Sequence, residues 1–429
     1  MEEVMRWGGP DEDLTPNQIR SALADVLTHF GPIRRALAVP PDFSRYHSFA
    51  GEITSMVYDL IGDRLTDVLP ALGTHRPITQ RERETMFTGV PERLFRVHDW
   101  RNDLVTLGEV PREFIREQSE GKLDWPWPAQ VNRLVAEGGH DAVLSIGQVV
   151  PHEVIGMANH AKNLFIGTGG KDGINRSHLL CAVYGMERIM GRADNPVRAV
   201  VNYAAREFLR SVPVIFILTV VGRRPPGPDG REAGLAVRGL FAGRGFDCFY
   251  RAAELALETN LTVIDEEPTH VVARLDPDEF HSTWLGNKAI YRTRMMIADG
   301  GRLTVLAPGV ESFGEDAGID RLVRKHGYRG TPETLRAVER DAELADNLGA
   351  AAHLIHGSSE GRFDIEYAPG KLTREEIEGV GFEYRDLADV TEQLAVDTLI
   401  DGWNTLPSGE RIYYISQPAL GLWAFKKRF

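Results

Sequence analysis

Cysteine is nearly absent, with Cys181 and Cys248 the only two among 429 residues. Two thiols cannot form a disulfide framework, and any sulfur-rich metal site would have to draw its sulfur from elsewhere. Basic residues are outnumbered, 49 Lys and Arg against 62 Asp and Glu, for a formal charge of −13. That balance argues against nucleic acid and anionic membranes as partners while leaving room for a local basic pocket. No apolar run approaches the ~20 residues of a membrane span. The N-terminus, Met1-Glu2-Glu3-Val4, lacks the basic and apolar regions of a signal peptide, so a cytoplasmic location is expected. Phosphate and metal motifs are missing too. The Gly170-Lys171 pair has Phe165 where a P-loop needs glycine and Asp172 where it needs Ser or Thr. Asp172 also breaks a dinucleotide fingerprint begun at Gly167, and no HExxH occurs.

What the chain does have is concentrated in residues 151–178. Here His152, His160 and His178 stand with Lys162 and the glycines Gly167, Gly169, Gly170 and Gly173. Imidazole transfers protons near neutral pH and binds borderline metals, and a partly buried lysine loses its charge readily and becomes a nucleophile. The glycine-rich stretch is a weakly specific candidate for holding a phosphate. His160 reads as structural.

Upstream, apolar runs alternate with helical periodicity and end in polar residues. A helix over 15–30 precedes the buried strand Ala36–Val39, which runs into Asp42, Ser44 and Arg45. A helix through Ile53 and Leu60 precedes a strand over 67–72, which ends at Gly73 and His75. Further strands are expected at Leu94–Asp99, Ala142–Ile146 and Val214–Val221, with helices over 178–191, 197–209 and 248–258. Residues 223–230 read as a loop returning into a hairpin at Ala236–Leu240. A second series follows at Leu261–Ile264, Thr269–Ala273, Leu303–Ala307, His353–His356 and Ile412–Ile415. The pattern gives an α/β chain of two domains, each a mainly parallel sheet flanked by helices, with the active site in the interdomain cleft. Residues 1–250 would form the catalytic and cofactor-binding domain, and 251–429 a smaller α/β domain with a C-terminal return segment. On local sequence alone, Arg45 reads as a surface arginine, His75 equally well as a helix cap, and Trp284 as core.

The ordered set Pro151-His152, Gly156, Lys162, Gly167 and His178, preceded by Asp42-x-Ser44-Arg45 and Gly73-x-His75-Arg76, resembles the lactate racemase family. These are racemases and epimerases that use a nickel-pincer nucleotide. The resemblance implies His75 and His152 as acid/base residues and Arg45 as the partner of the substrate carboxylate. It also implies Lys162 as the covalent attachment point of the nucleotide, His178 as the nickel ligand, and Asp42, Ser44, Gly156 and Gly167 around the cofactor. Lys288 matches a substrate-binding lysine, but Trp284-Leu285 stands where the family has an aromatic-glutamine pair. With the polar Tyr46, His47, Asn159 and Asn175, that departure favours a longer, hydroxyl-rich acid such as an aldonate over lactate. The implied activity is inversion at C2 of a 2-hydroxy acid by proton-coupled hydride transfer, with cofactor-biosynthesis enzymes as the only implied protein partners. Two other readings stay open, an NAD-dependent 2-hydroxy acid oxidoreductase and a catalytically silent sugar-acid-binding protein.

Overall fold

The computed structural model describes residues 4–224, 234–418 and 421–429. These form two compact units, one of residues 1–180 and 188–260, the other of 181–187 and 261–429. The helix Asp247–Asn260 stays with the first unit because its apolar face, including Phe249, Ala252, Ala253 and Ala256, is buried against the Val214–Arg223 and Leu235–Gly243 strands. The loop expected over 223–230 falls mostly outside the described residues.

The first unit is built on a six-stranded sheet in the order Met5–Gly8, Leu235–Gly243, Val214–Arg223, Ala142–Gln148, Ala36–Val39, Leu65–Val68. The first two pairings are antiparallel and the last three parallel, so only Leu235–Gly243 runs against the other strands. Parallel strands covered on both faces have to be apolar throughout, and Ala36–Val39 is buried at every position. The helix Pro16–His29 starts at a capping box in which Thr15 and Gln18 satisfy each other's backbone N–H groups. It buries Leu23 and Val26 beside Ile53 and Val57 of the helix Ala50–Ile61. From Ala36–Val39 the chain crosses to Leu65–Val68 on one side, and the next sheet strand, Ala142–Gln148, lies on the other. Such a reversal opens a crevice beyond the carboxyl ends of the two central strands, the usual ligand position in sheets of this kind.

The second unit has its own six-stranded sheet, ordered Glu383–Tyr384, Asp364–Pro369, Arg302–Ala307, His270–Arg274, Arg411–Ile415, Gly402–Thr405. All its pairings are parallel except the last.

Four sequence expectations are corrected. Residues 94–99 are not a strand: a single 3-10 turn, Glu92–Leu94, is followed by one isolated bridge from Phe95 to Val68. Backbone pairing gives way there to a side-chain anchor, the His98 ring bonded to the Gly169 carbonyl at 3.0 Å. His353–His356 is the end of the helix Leu348–His356, capped by Asn347 and extended by three alanines, a case where a short apolar run does not distinguish strand from buried helix. The strand before His75 runs over Leu65–Val68, earlier than 67–72. The helix carrying His178 starts at Lys171, not at His178, so it absorbs Gly173 from the glycine-rich stretch.

Gly156 marks a tight packing point in the first unit. Its φ is +74°, and a Cβ there would overlap the Arg192 carbonyl oxygen. Gly156→Ala is therefore expected to destabilise the protein by about 2–4 kcal/mol, through strain and overlap together. A leftward shift of the chemical denaturation midpoint measures this, and an unchanged midpoint contradicts it.

Candidate active site

Asp42 follows the Ala36–Val39 strand and organises the first corner of the crevice. It caps the 3-10 segment Phe43–Ser48, where its Oδ1 accepts the Ser44 N–H at 3.2 Å and the Ser44 hydroxyl at 2.5 Å. Its other oxygen, Oδ2, lies 2.6 Å from His75 Nδ1. Asp42 is 7% exposed. Burial pushes its carboxyl upward, but the His75 hydrogen bond and charge, the Ser44 bond and nearby Arg45 prevail and hold it below the usual range. An ionised carboxylate only accepts, so Nδ1–H of His75 is the donor and Nε2 keeps its lone pair. His75 itself is exposed, as are Ser44 and Arg45. The loop carrying His75 is fixed by Gly73, whose N–H donates to the Gly167 carbonyl at 2.8 Å, and by Ala71, whose N–H donates to Pro40 at 2.7 Å.

The second corner follows Ala142–Gln148, where Pro151–His152 pairs with Gly156–Met157 in a short antiparallel ladder. His152 is buried and its Nδ1 accepts the Val154 N–H at 3.1 Å, which puts the proton of the neutral ring on Nε2. The Glu153 carboxylate stands 3.8 Å from the same Nδ1.

Lys162 sits in the short helix Ala161–Phe165. Burial first, then Arg45 and Arg198, push its amine down to about 8, against the opposing pull of Glu153 and Asp42. Its neighbour Asn163 ties this helix to the crevice floor, the side-chain amide donating to the Val39 carbonyl at 2.8 Å and to Ser145 Oγ at 3.1 Å. His178, on the helix Lys171–Tyr184, donates from Nδ1 to the Ile174 carbonyl at 2.7 Å. Its Nε2 is thus the lone-pair nitrogen, the arrangement in which metal-bound imidazoles are commonly held. Burial lowers its pKa further, favouring the neutral ligand form.

The structure therefore brings Asp42, Ser44, Arg45, His75, His152, Lys162 and His178 into one unit around one crevice. Gly156 and Gly167 are there as well, both at close backbone contacts: a Cβ on Gly167 would overlap the Asn163 carbonyl. Trp284 and Lys288 belong to the second unit. Trp284 stacks on buried His353 with ring centroids 4.2 Å apart, and the Lys288 amine lies 5.5 Å from the Phe280 ring centre. Sequence reasoning missed Asn163, Glu153 and Arg198. Arg198 is 1% exposed and donates to the carbonyls of Met157 and, at 3.2 Å, Asn159. A usable signal existed only for Arg198, which with Asn202 forms an i, i+4 polar pair on the buried face of the helix Pro196–Phe208. His160 is structural as read, stacked on Phe216 at 3.7 Å and bonded through Nε2 to the Gly245 carbonyl at 3.0 Å. Among the described residues no three His, Cys, Asp or Glu side chains converge as a metal site, and no helix is long and apolar enough to cross a membrane.

The Lys162 amine is expected to react with an amine-selective acylating reagent along a titration centred near pH 8. Below that pH it is protonated and unreactive, whereas an ordinary lysine stays so until about 10.4. Peptide mapping of the modified lysine across pH measures the midpoint; one above 10 contradicts the buried setting.

Comparison with known proteins finds the same fold in solved structures. A crystal structure of a protein from Thermotoga maritima superposes over 98% of this chain and 100% of its own, with a TM-score of 0.79 and 22% identity. The lactate racemase apoprotein of Thermoanaerobacterium thermosaccharolyticum superposes over 96% of this chain and 93% of its own, with a TM-score of 0.69 and 14% identity. No curated protein sequence matches significantly. Residues 28–189, which hold every first-unit candidate, match the lactate racemase N-terminal domain. Over that segment the chain is similar to the lactate racemase N-terminal domain.

Proposed function

We propose that the protein is an isomerase that inverts C2 of a 2-hydroxy acid by proton-coupled hydride transfer, and that its substrate is a sugar acid of the aldonate type. The observation that carries this reading is the pair of histidines on two strand ends, each with a carboxylate to stabilise its charged ring. Asp42 is 2.6 Å from His75 Nδ1, and Glu153 is 3.8 Å from His152 Nδ1. Inversion needs proton transfer in both directions, and imidazole, which takes up and releases a proton readily, serves both.

The family's nickel-pincer nucleotide fits the residues present. Lys162, with an amine lowered to about 8, has the nucleophilic character that covalent attachment needs, and His178 Nε2 supplies one neutral nitrogen to nickel. When bound, that group supplies a reversible hydride acceptor. Arg45 holds the substrate carboxylate through its planar fork. His75 Nε2 accepts the hydroxyl proton as the alcohol is oxidised, and Asp42 stabilises the resulting imidazolium. The planar 2-keto acid then presents its other face, where the Nε2 edge of His152 delivers a proton to the oxygen on reduction. The reverse reaction exchanges the two roles. Trp284 and Lys288 are assigned to the substrate chain. An indole in place of the family's glutamine context offers a flat apolar surface to a sugar backbone, and Lys288 a further cation for an acid.

The test is production in a host that makes the pincer nucleotide, followed by metal analysis and chiral chromatography of D-gluconate and D-mannonate, which differ only at C2. About one nickel per chain is expected, falling several-fold in His178→Ala, with interconversion of the two acids. Asp42→Asn is expected to lower kcat by about 10²–10⁴-fold, the usual worth of a positioned acid/base group. Nickel-free protein despite a confirmed cofactor supply overturns the cofactor assignment; nickel-loaded protein that racemises lactate but leaves both aldonates unchanged overturns the substrate class.

A further inference from the structure

A cavity of about 410 Å³ opens on the first unit at the start of the Val214–Arg223 strand, and its lining includes Val214, Phe216, Phe246, His160, Arg210 and Arg244. The candidate active site lies past the carboxyl ends of the parallel strands; this cavity lies at Val212–Val214, where one of those strands begins. It is thus a separate feature of the fold. Its volume falls within the ~300–1,000 Å³ typical of small-molecule pockets.

Three properties of the lining specify a ligand. The walls are apolar and aromatic, through Val214, Phe216 and Phe246. The rim is cationic in a chain of net charge −13: Arg210 and Arg244 line the cavity, and Arg206 stacks over the Phe246 ring at 5.0 Å. The one acid paired at this rim, Glu207, takes a single bond from Arg210 at 2.9 Å. Arg210 also donates to the Arg206 carbonyl, and Arg244 to the Phe30 carbonyl at 3.2 Å. A guanidinium has five N–H donors, so these bonds leave capacity on both arginines for a carboxylate. The third property is His160, 1% exposed. Its Nε2–H is committed to the Gly245 carbonyl, which makes Nδ1 an acceptor, and that buried atom has no hydrogen-bond partner. A buried acceptor left unpaired costs about 1–3 kcal/mol, which a donor from a ligand would recover.

We propose that this cavity is a second small-molecule site, distinct from the candidate active site, that takes a hydroxyl-bearing aromatic carboxylate. The ring packs between Phe216 and Phe246, the carboxylate meets Arg210 and Arg244, and the hydroxyl donates to His160 Nδ1. The site adjoins the segment that carries Lys162, since its lining residue His160 lies two residues before that lysine.

Isothermal titration with 4-hydroxybenzoate tests the assignment. Saturable binding of one molecule per chain is expected, weakened about tenfold or more in the double variant Arg210→Gln/Arg244→Gln, as the loss of charge-assisted bonds implies. Both arginines are exposed, so the variant is expected to fold, and circular dichroism verifies that it does. Arg45→Gln should leave this binding unchanged, and benzoate, lacking the hydroxyl, should bind several-fold more weakly. Absence of saturable binding at millimolar ligand overturns the site. Binding that is lost in Arg45→Gln but kept in the double variant places the ligand at the candidate active site and overturns it equally. Equal affinity for benzoate removes His160 from the site.

Discussion

A guanidinium buried to 1% exposure without a bonded carboxylate is an expensive object, and Arg198 is one. Burial alone pushes it down to about 9, with only the more distant Tyr250 and Asp194 pulling it back. Its favourable interactions are two backbone carbonyls, Met157 and Asn159, and the face of Phe249 at 4.1 Å. Those carbonyls belong to the segment between His152 and Lys162. The arginine therefore fixes the path of the chain between the candidate acid/base residue and the candidate nucleophile. It also helps to hold the unusual backbone of Asn159 and His160, where two successive non-glycine residues adopt positive φ. The same charge adds to the field that depresses the Lys162 amine, so one buried residue sets both the geometry and the reactivity of the stretch.

Asn163 does for the crevice floor what Arg198 does for its wall. Its amide spans from Val39 on one central strand to Ser145 on the other, at the point where strand order reverses. The reversal opens a gap between loops leaving in opposite directions, and a side-chain amide with two donors closes it at the level of the sheet. Lys162, one residue earlier, is thereby seated above the gap. Asp42 completes the arrangement from the other side, since a single carboxylate both ends the first strand and orients His75.

These supports explain which parts of the site were legible. Apolar runs ending in Pro-Pro-Asp, Gly-x-His and Pro-His announce strand ends that carry chemistry, because a buried parallel strand has to be apolar and its ligand-facing loop does not. Asp42, His75 and His152 were singled out on that ground together with the resemblance to the lactate racemases, and Lys162 and His178 through that resemblance alone. Asn163 and Glu153 carry no such signature: an amide or a carboxylate beside a candidate residue is as often surface as support, and only the fold shows where the second partner lies. Residues 94–99 and 353–356 failed for a related reason. Short apolar runs fix burial but not period, and what decided them was a histidine side chain anchored to Gly169 in one case and an Asn347 cap in the other. The glycines of 167–173, read as a possible cradle for phosphate, are tightly packed: a Cβ on Gly167 or Gly169 would meet the carbonyl of Asn163 or Phe165 in the preceding helix, and one on Gly170 the Gln130 side chain.

The electrostatic balance of the crevice follows from this packing. Arg45, Arg198 and Lys162 are set against Asp42 and Glu153, a local excess of positive charge in an acidic chain. If Lys162 kept its proton, a third cation would share the partly buried space with two arginines that cannot lose theirs. The lysine is the one of the three whose proton is held least firmly, its amine being pushed down to about 8. Loss of that proton above about pH 8 leaves Arg45 as the exposed cation beside it, while the buried Arg198 stays bonded to the backbone. The same crowding thus gives the crevice both an exposed guanidinium and an amine of lowered basicity, and the hydrogen bonds that keep Arg198 buried carry the cost.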